Sequence, residues 1–295
     1  MRAFKKIILL TFASLFIFTS CKKEGTANLE LRLQNLPHSD YEGWIIVDNK
    51  PISIGQFTGN QFDLEDGGAE VMSFDVDKKL LKAATSFMIT VENPYDNNPY
   101  PSDYKFLGGD FEGDNLTLST NHPNGIGIDL SLVDGAYWIA TPTDNSLEID
   151  EKAGVWFYYP GGMDEPTLYL PELDNNWTYE ASVSNCSLIL PIGKFDKVRG
   201  ADDRNNFGDH DFAPGFPGED FIRSIDEHFS QNYSFPIDLS SFYLRITISP
   251  KMGDQMGNFL TILTSEISEN MEAHGIYPME NKPASAFEFG SVTRN

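Results

Sequence analysis

A sequence pattern in the first half of the chain returns in the second half, and this repeat constrains the fold more than any other feature. The stretches Tyr41-Glu42 and Ile54-Gly55-Gln56-Phe57 return as Tyr179-Glu180 and Ile192-Gly193-Lys194-Phe195, at a shift of 138 residues. A fixed spacing between similar stretches is expected of one structural unit that occurs twice. We therefore predict two tandem β units, the first at residues 29–150 and the second at residues 151–295.

The second copy is longer than the first. Ile89-Thr90-Val91 returns as Ile246-Thr247-Ile248 at a shift of 157 residues, so the second copy carries 19 more residues before this point. The extra residues form an acidic insertion near 200–230, which contains the loop from Asp202 to Asp211. We expect this insertion to give the second unit a surface that the first unit lacks.

Short runs with alternating apolar and polar residues predict half-buried β-strands. Turn signals such as Asp134-Gly135 and Pro160-Gly161-Gly162 separate these runs, and regular strands with few helices are typical of a β-sandwich. The runs are Leu29–Leu33, Trp44–Val47, Phe87–Val91, Tyr137–Ala140, Val155–Tyr159, Leu188–Ile192 and Phe242–Ile248.

Three segments have helical patterns. Asp77–Ala84 is long enough for two turns, and Glu266–His274 is a further candidate. Glu219–Phe229 is stronger, because its apolar residues recur at helical spacing and Pro217-Gly218 stands before it. The predicted fold class is thus all-β: two tandem β-sandwich-like repeats, with one or two short helices in the second.

The N-terminus predicts export and lipid attachment. Residues 1–20 begin with three basic residues and continue as an apolar run too short to span a membrane, as in a secretory signal peptide. Thr19-Ser20 before Cys21 resembles a lipobox, which predicts cleavage before Cys21, lipidation (palmitate included) of its thiol, and a tether at residues 21–28. An ordinary signal peptide with a chance cysteine is the alternative.

The residue after the cysteine indicates which membrane holds the lipoprotein. Lys22 stands there, and the aspartate that retains lipoproteins in the inner membrane is missing. We therefore predict an outer-membrane lipoprotein, facing either the periplasm or the cell surface.

The charge of the chain excludes one class of partner. The formal net charge is −23, and an anionic surface repels the phosphates of nucleic acid. Acidity suits cationic ligands or calcium, but we favour the interpretation that it is a solvated exported surface.

Cysteine chemistry is limited to one further residue. With Cys21 carrying lipid, Cys186 has no partner for an intrachain disulfide. Its place in the strand-like stretch Ser184–Leu190 predicts a small buried core residue rather than a catalytic thiol.

Several of these motifs carry a family likeness. Tyr41-Glu42-Gly43-Trp44, Pro51–Phe57 and Thr90-Val91-Glu92-Asn93-Pro94 resemble the extracytoplasmic C-terminal domain of anti-sigma-K factors. Tyr137–Asp144 and Phe216–Phe221 are similar to exported two-copy relatives of that domain. The resemblance implies a β fold with an extracytoplasmic sensing or binding role. It implies no direct sigma-factor binding, because the chain lacks the cytoplasmic sigma-binding module of those proteins.

Catalytic motifs are missing from the sequence. The five histidines have no zinc-protease spacing, and no G-x-S-x-G elbow or phosphate-binding glycine loop occurs. We therefore expect no enzyme. A hydrolase with an unrecognised site remains an alternative, which a deep pocket with converging polar groups would indicate.

The acidic loop is a candidate calcium site. Asp203, Asn205, Asp209 and Asp211 offer oxygen ligands at alternating positions, but Pro214 stands where an EF-hand places its bidentate glutamate. A solvated acidic loop is the other interpretation. Apart from this calcium, no cofactor is expected.

The loop between Asn93 and Tyr104 is a candidate ligand surface. Tyr95, Tyr100 and Tyr104 could stack on sugars, and the alternative is that they anchor the loop onto its own sheet. A surface glycan-binding lipoprotein is therefore the second functional hypothesis. The expected partners are the membrane, through Cys21, and an unidentified protein or glycan.

Overall fold

The structure is a computed structural model of the 295-residue chain. It describes residues 25–34, 36–59, 70–93, 98–144, 151–161, 163–204, 206–208, 213–225, 232–252, 259–282 and 289–295. The predicted signal peptide, residues 1–20, and Cys21 lie outside the described residues.

The predicted all-β class is confirmed: of the described residues, 50% are in strands and 4% in helices, and antiparallel sheets form sandwich-like pairs. The strands of the first half are β1 (Thr26–Leu33), β2 (Ser39–Val47), β3 (Lys50–Gly59), β4 (Glu70–Asp77), β5 (Ser86–Glu92), β6 (Lys105–Asp110), β7 (Asn115–Leu118) and β8 (Asp134–Ile139). Those of the second half are β9 (Gly154–Trp156), β10 (Tyr158–Tyr159), β11 (Glu165–Pro166), β12 (Leu168–Tyr169), β13 (Trp177–Ser184), β14 (Ile189–Phe195), β15 (Gly218–Asp220), β16 (Tyr243–Pro250), β17 (Leu260–Glu266), β18 (Ile276–Pro278), β19 (Glu280–Asn281) and β20 (Gly290–Arg294).

Each half of the chain contributes one sheet that contains most of its long strands. One sheet has the order β3-β2-β5-β6. A second sheet, with the order β4-β1-β20-β7, contacts it where β3 meets β4 and where β6 meets β7. The long-strand sheet of the second half has the order β14-β13-β16-β17-β19. A further sheet has the order β12-β8-β9-β15, and β18 pairs with β8 in it. These last two sheets contact each other where β14 meets β15 and where β19 meets β8.

The two long-strand sheets have the same register at the residues of the sequence repeat. Tyr41 pairs with Phe57 in the first sheet, and Tyr179 pairs with Phe195 in the second. The rings of each pair are stacked, with centroids 5.6 Å apart in both. A β-bulge follows Gly43 in the first sheet and Ala181 in the second, which is the same repeat position. The sequence repeat therefore has equivalent pairing and an equivalent bulge in both sheets.

Aromatic side chains from both halves pack together in one core. The ring of Phe106 on β6 contacts Trp177 on β13 and Phe259, with centroids 6.4 and 5.1 Å apart. The hydroxyl group of Tyr104 donates a hydrogen bond to the carbonyl oxygen of Lys251 at 3.1 Å. These contacts bury apolar surface between the halves, and such burial is the main favourable term in folding.

The chain ends meet in one sheet. β20 pairs with β1, so the last strand of the chain completes a sheet with the first strand. The predicted boundary near residue 150 falls on 145–150, outside the described residues. At the N-terminus, β1 begins at Thr26, so Thr26–Asn28 are strand residues and do not belong to a tether.

Two of the three predicted helices are corrected. The first is confirmed as the six-residue helix α1 (Lys78–Ala83), which Asp77 caps by accepting hydrogen bonds from two backbone amides. The predicted helix Glu219–Phe229 is wrong at its start, because Glu219 and Asp220 lie in β15. Residues 226–229 of that prediction lie outside the described residues. The prediction at Glu266–His274 is also wrong, because β17 ends at Glu266 and turns follow.

α1 lies in the first half of the chain, at the candidate segment Asp77–Ala84, whereas the predicted fold class counted one or two short helices in the second repeat. Among the described residues, the helices are too short and too polar to cross a lipid bilayer.

Candidate functional site

An open groove of about 440 Å³ lies beside β14 in the second half of the chain. Three structural segments build it: the ends of β13 and β14, the residue after β16, and a loop from the acidic insertion. We call residues 200–204 and 206–208 the wall loop. The groove is lined by Thr178, Lys194, Phe195, Asp196, Ala201, Asp202, Asp203 and Lys251.

Backbone pairing fixes the wall loop against β14. The amide of Asp203 donates to the carbonyl oxygen of Lys194 at 2.9 Å, and the amide of Lys194 donates to Asp203 Oδ1 at 2.6 Å. The opposite side is closed by an ion pair between Lys251 Nζ and Asp196 Oδ2 at 2.8 Å. The groove therefore presents both signs of charge on a largely fixed backbone.

A buried glutamate lies next to the groove on β13. Glu180 is 9% exposed and accepts a hydrogen bond from Ser249 Oγ at 3.2 Å. Burial raises the pKa of its carboxyl group, and the nearby Lys194 opposes that rise. The equivalent residue of the first copy is Glu42, which is also buried and accepts from Gln56 Nε2 at 3.3 Å. Both copies thus keep a buried carboxyl group at this place.

The Asp202 carboxyl group forms part of the groove wall and binds two backbone amides. Oδ2 accepts from the amide of Gly218 at 2.9 Å, and Oδ1 accepts from the amide of Arg204 at 2.8 Å. Burial raises the pKa of Asp202 to about 7, despite these two hydrogen bonds. Asp202 thereby connects the wall loop to β15.

Glu219 on β15 holds the far end of the same loop. Its side chain is fully buried and accepts from the amides of Asn206 at 2.7 Å and Gly208 at 3.0 Å. Burial raises the pKa of Glu219 to about 7, and the neighbouring Asp202 raises it further.

Asp220 is a further buried carboxyl group of this region. It accepts hydrogen bonds from Trp156 Nε1 at 2.5 Å and from both the amide and the hydroxyl of Thr143, at 2.8 and 2.6 Å. Burial raises its pKa to about 6. Its hydrogen bonds tie β9 and the segment after β8 to β15, so its role is structural.

Groups whose pKa lies near neutrality can exchange a proton at physiological pH, which is one requirement of acid–base chemistry. Asp202 and Glu219 meet it, but their oxygens are directed at backbone amides. Among the described residues, no group of three histidine, cysteine, aspartate or glutamate side chains is placed to hold a metal ion.

Of the four calcium candidates, one can be placed. Asp203 accepts a hydrogen bond from the amide of Lys194, so its carboxyl group takes part in holding the loop against β14. Asn205, Asp209 and Asp211 lie outside the described residues. Calcium binding by this loop stays a prediction.

The three tyrosine candidates have different environments. Tyr104 packs edge-on against Trp177 and its hydroxyl binds the Lys251 carbonyl, so it anchors its loop to the second half of the chain. Tyr100 is 71% exposed. Tyr95 lies outside the described residues.

The prediction that Cys186 is a buried core residue is wrong. Cys186 is exposed, in the turn where Asn185 accepts amide hydrogen bonds from Ser187 and Leu188. The predicted strand Ser184–Leu190 is therefore interrupted: β13 ends at Ser184, residues 185–188 form a turn that Asn185 caps, and β14 begins at Ile189.

Sequence reasoning missed Glu219, Asp220 and the two lysines of the groove. The signal for the two acids was the order Phe216-Pro217-Gly218-Glu219-Asp220-Phe221, in which charged residues stand between residues that favour burial. Lys194 and Lys251 had no local signal, since 57 positions separate them in the chain and only sheet pairing brings them to one groove.

Comparison with known proteins leaves the site to be judged from its geometry. No protein-family model, no curated protein and no solved structure matches the chain.

Proposed function

We propose that this chain is a lipid-anchored extracytoplasmic binding or sensing protein, without catalytic activity, held to the outer membrane through Cys21. Its β domains are similar in role to the extracytoplasmic domains of anti-sigma-K factors, with no direct contact to a sigma factor. The ligand binds in the groove beside β14.

One observation carries the binding part of this proposal. The groove is walled by Ala201, Asp202 and Asp203, which belong to the insertion that distinguishes the second copy from the first. An insertion that builds a concave polar surface on a repeated scaffold is typical of a loop that carries function. The lining combines ammonium groups and carboxyl groups with the apolar Phe195, a composition suited to a polar small molecule or a short segment of a partner.

The anchor is tested by fractionation of cells that express the full chain. We expect the wild type in the outer-membrane fraction and the Cys21→Ala variant outside it, because two or three acyl chains give a stable attachment. A Cys21→Ala variant that fractionates with membranes as the wild type does would contradict the lipid anchor. Surface proteolysis of intact cells then distinguishes the two orientations, because only an outward-facing protein releases fragments.

The groove is tested with panels of glycans and small polar metabolites, read by thermal shift of the purified chain. A compound that stabilises the wild type should lose at least about tenfold in affinity in Lys251→Ala, which removes a charged group from the lining. The matched control is Lys282→Ala, which removes a similar surface pair with Glu280 far from the lining. Equal binding by both variants would place the ligand elsewhere.

A glycan-binding function through the Asn93–Tyr104 loop is the second candidate, and the exposure of Tyr100 favours it. An exposed aromatic ring offers a stacking surface for a sugar. Pull-down on insoluble polysaccharides should retain the wild type and release Tyr100→Ala. Tyr243→Ala, which removes an exposed ring on β16, serves as the control. Equal retention of all three proteins would exclude this loop.

A further inference from the structure

Two carboxyl groups without a cationic partner hold the wall loop against β15. Asp202 binds the amide of Gly218, and Glu219 binds the amides of Asn206 and Gly208. Within the described part of the chain, neither carboxylate forms an ion pair within 4 Å. Glu219 is fully buried and Asp202 is partly buried, so ionisation of both places two like charges near each other and away from water, which is unfavourable.

We propose that Asp202 and Glu219 form a pH-sensitive latch, which holds the wall loop against β15 in mildly acidic solution and loosens it above neutral pH.

The direction follows from linkage. In the closed loop, burial disfavours the ionised form of each carboxyl group, and a group released to water ionises at its ordinary, lower pH. Protons therefore bind the closed loop more tightly than the open loop, so acid favours closure and alkali favours opening. The pKa values of about 7 for both groups place the change near neutrality.

The charged neighbours of Asp202 partly compensate one another. The charged neighbours on the wall loop are Asp203 and Arg204, and the charges of both also act on the Glu180 carboxyl group on β13. Lys194 on β14 lies near Glu180, and Lys251 after β16 is engaged with Asp196.

Around Glu219 the charged groups are on β15 and after it. Asp220 follows it on the strand, with Asp144 near Asp220, and both are acidic. Arg223 after β15 donates to the carbonyl oxygen of Gly208. The guanidinium is therefore engaged with the backbone of the loop and does not pair with the carboxylate.

Other contacts keep the opening local. The amide of Gly200 donates to the carbonyl oxygen of Gly215 at 3.0 Å, and the amide of Arg223 donates to the carbonyl oxygen of Phe207 at 3.1 Å. Phe207 is buried against Phe221, with ring centroids 5.2 Å apart. Loss of the latch therefore increases transient opening of the loop and leaves the sheets in place, which changes access to the groove wall that Asp202 forms.

Hydrogen exchange of the purified full chain at pH 5.5 and pH 8.5, corrected for the intrinsic rate, tests the latch. We expect protection of the amides of Arg204, Asn206, Gly208 and Gly218 to fall about tenfold or more at the higher pH. The double variant Asp202→Asn with Glu219→Gln should lose this pH dependence. Asp174→Asn, whose side chain also binds a backbone amide, that of Asn176, should behave as the wild type.

Protection that is independent of pH in the wild type, or that rises with pH, would overturn the proposal. If the double variant does not fold, NMR titration of the wild-type side-chain carboxyl carbons decides the question. Midpoints near 7 for Asp202 and Glu219 support the latch, and midpoints near 4 for both refute it. These measurements need no ligand, so their outcome is independent of whether the groove binds one.

Discussion

The side chain of Asp202 lies directly against the α-carbon of Gly193, so closely that a β-carbon at position 193 would overlap the carboxyl group. Gly193 pairs with Ala181 next to the bulge of β14, and its equivalent in the first copy is Gly55, where a β-carbon would meet the ring of Phe74 on β4 at ordinary contact distance. The insertion has thus replaced an apolar contact between sheets with a carboxyl group that binds the edge of β15.

Replacement of Gly193 by alanine should displace Asp202 and lower the free energy of unfolding by about 1 to 3 kcal/mol, as overpacking does at a site where the neighbour cannot move freely. Chemical denaturation measures this change. Gly215→Ala is the control, because its β-carbon would point into open space. A Gly193→Ala protein as stable as the control would contradict the close packing.

The stability of the protein should depend on the ionisation of Glu219. Its folded pKa is raised to about 7, above the value near 4.5 in an unfolded chain, so its contribution is fully present below about pH 4 and lost as pH rises through about 7. Relative to Glu219→Gln, the wild type should lose about 3 kcal/mol of unfolding free energy between pH 4 and pH 8. Denaturation at a series of pH values checks this. Parallel curves for the two proteins would refute it.

The equivalent tyrosines of the two copies should behave alike. Tyr41 donates its hydroxyl to the carbonyl oxygen of Pro37 at 2.8 Å, and Tyr179 donates to that of Pro171 at 2.6 Å. Each change to phenylalanine should cost about 1 kcal/mol, because the proline carbonyl loses its hydrogen-bond donor. Thermal unfolding of both variants, with the exposed Tyr243→Phe as a neutral reference, would reveal whether only one of the two hydroxyl groups matters.

Cys186 should react with a maleimide in the folded protein, because its turn exposes the thiol. Mass spectrometry of the native chain should find one label, at Cys186, and none in Cys186→Ser. That substitution should change stability by less than about 0.5 kcal/mol, as is usual at an exposed position. Labelling only after denaturation would mean that the thiol is buried.

The strands of the repeat could be predicted because their signal is local. Alternation of apolar and polar residues predicted Leu29–Leu33, which lies within β1, and Phe242–Ile248, which lies within β16 except for Phe242. The glycines beside the two bulges, Gly55 and Gly193, recur at a fixed distance from the tyrosines. The helix expected at Glu219 failed for the opposite reason. Phe221 and Ile225 fit a helical spacing, but Glu219 and Asp220 are held in β15 by amides and side chains distant in sequence.

The all-β class and the approximate positions of several strands in each half followed from the sequence alone, because periodicity is a property of neighbouring residues. Only the folded structure reveals that β20 returns to pair with β1, that Cys186 lies on a turn, and that Asp202 lies near the buried Glu219. These features depend on pairing and burial between distant segments, and burial is what moves the pKa of a carboxyl group towards neutrality.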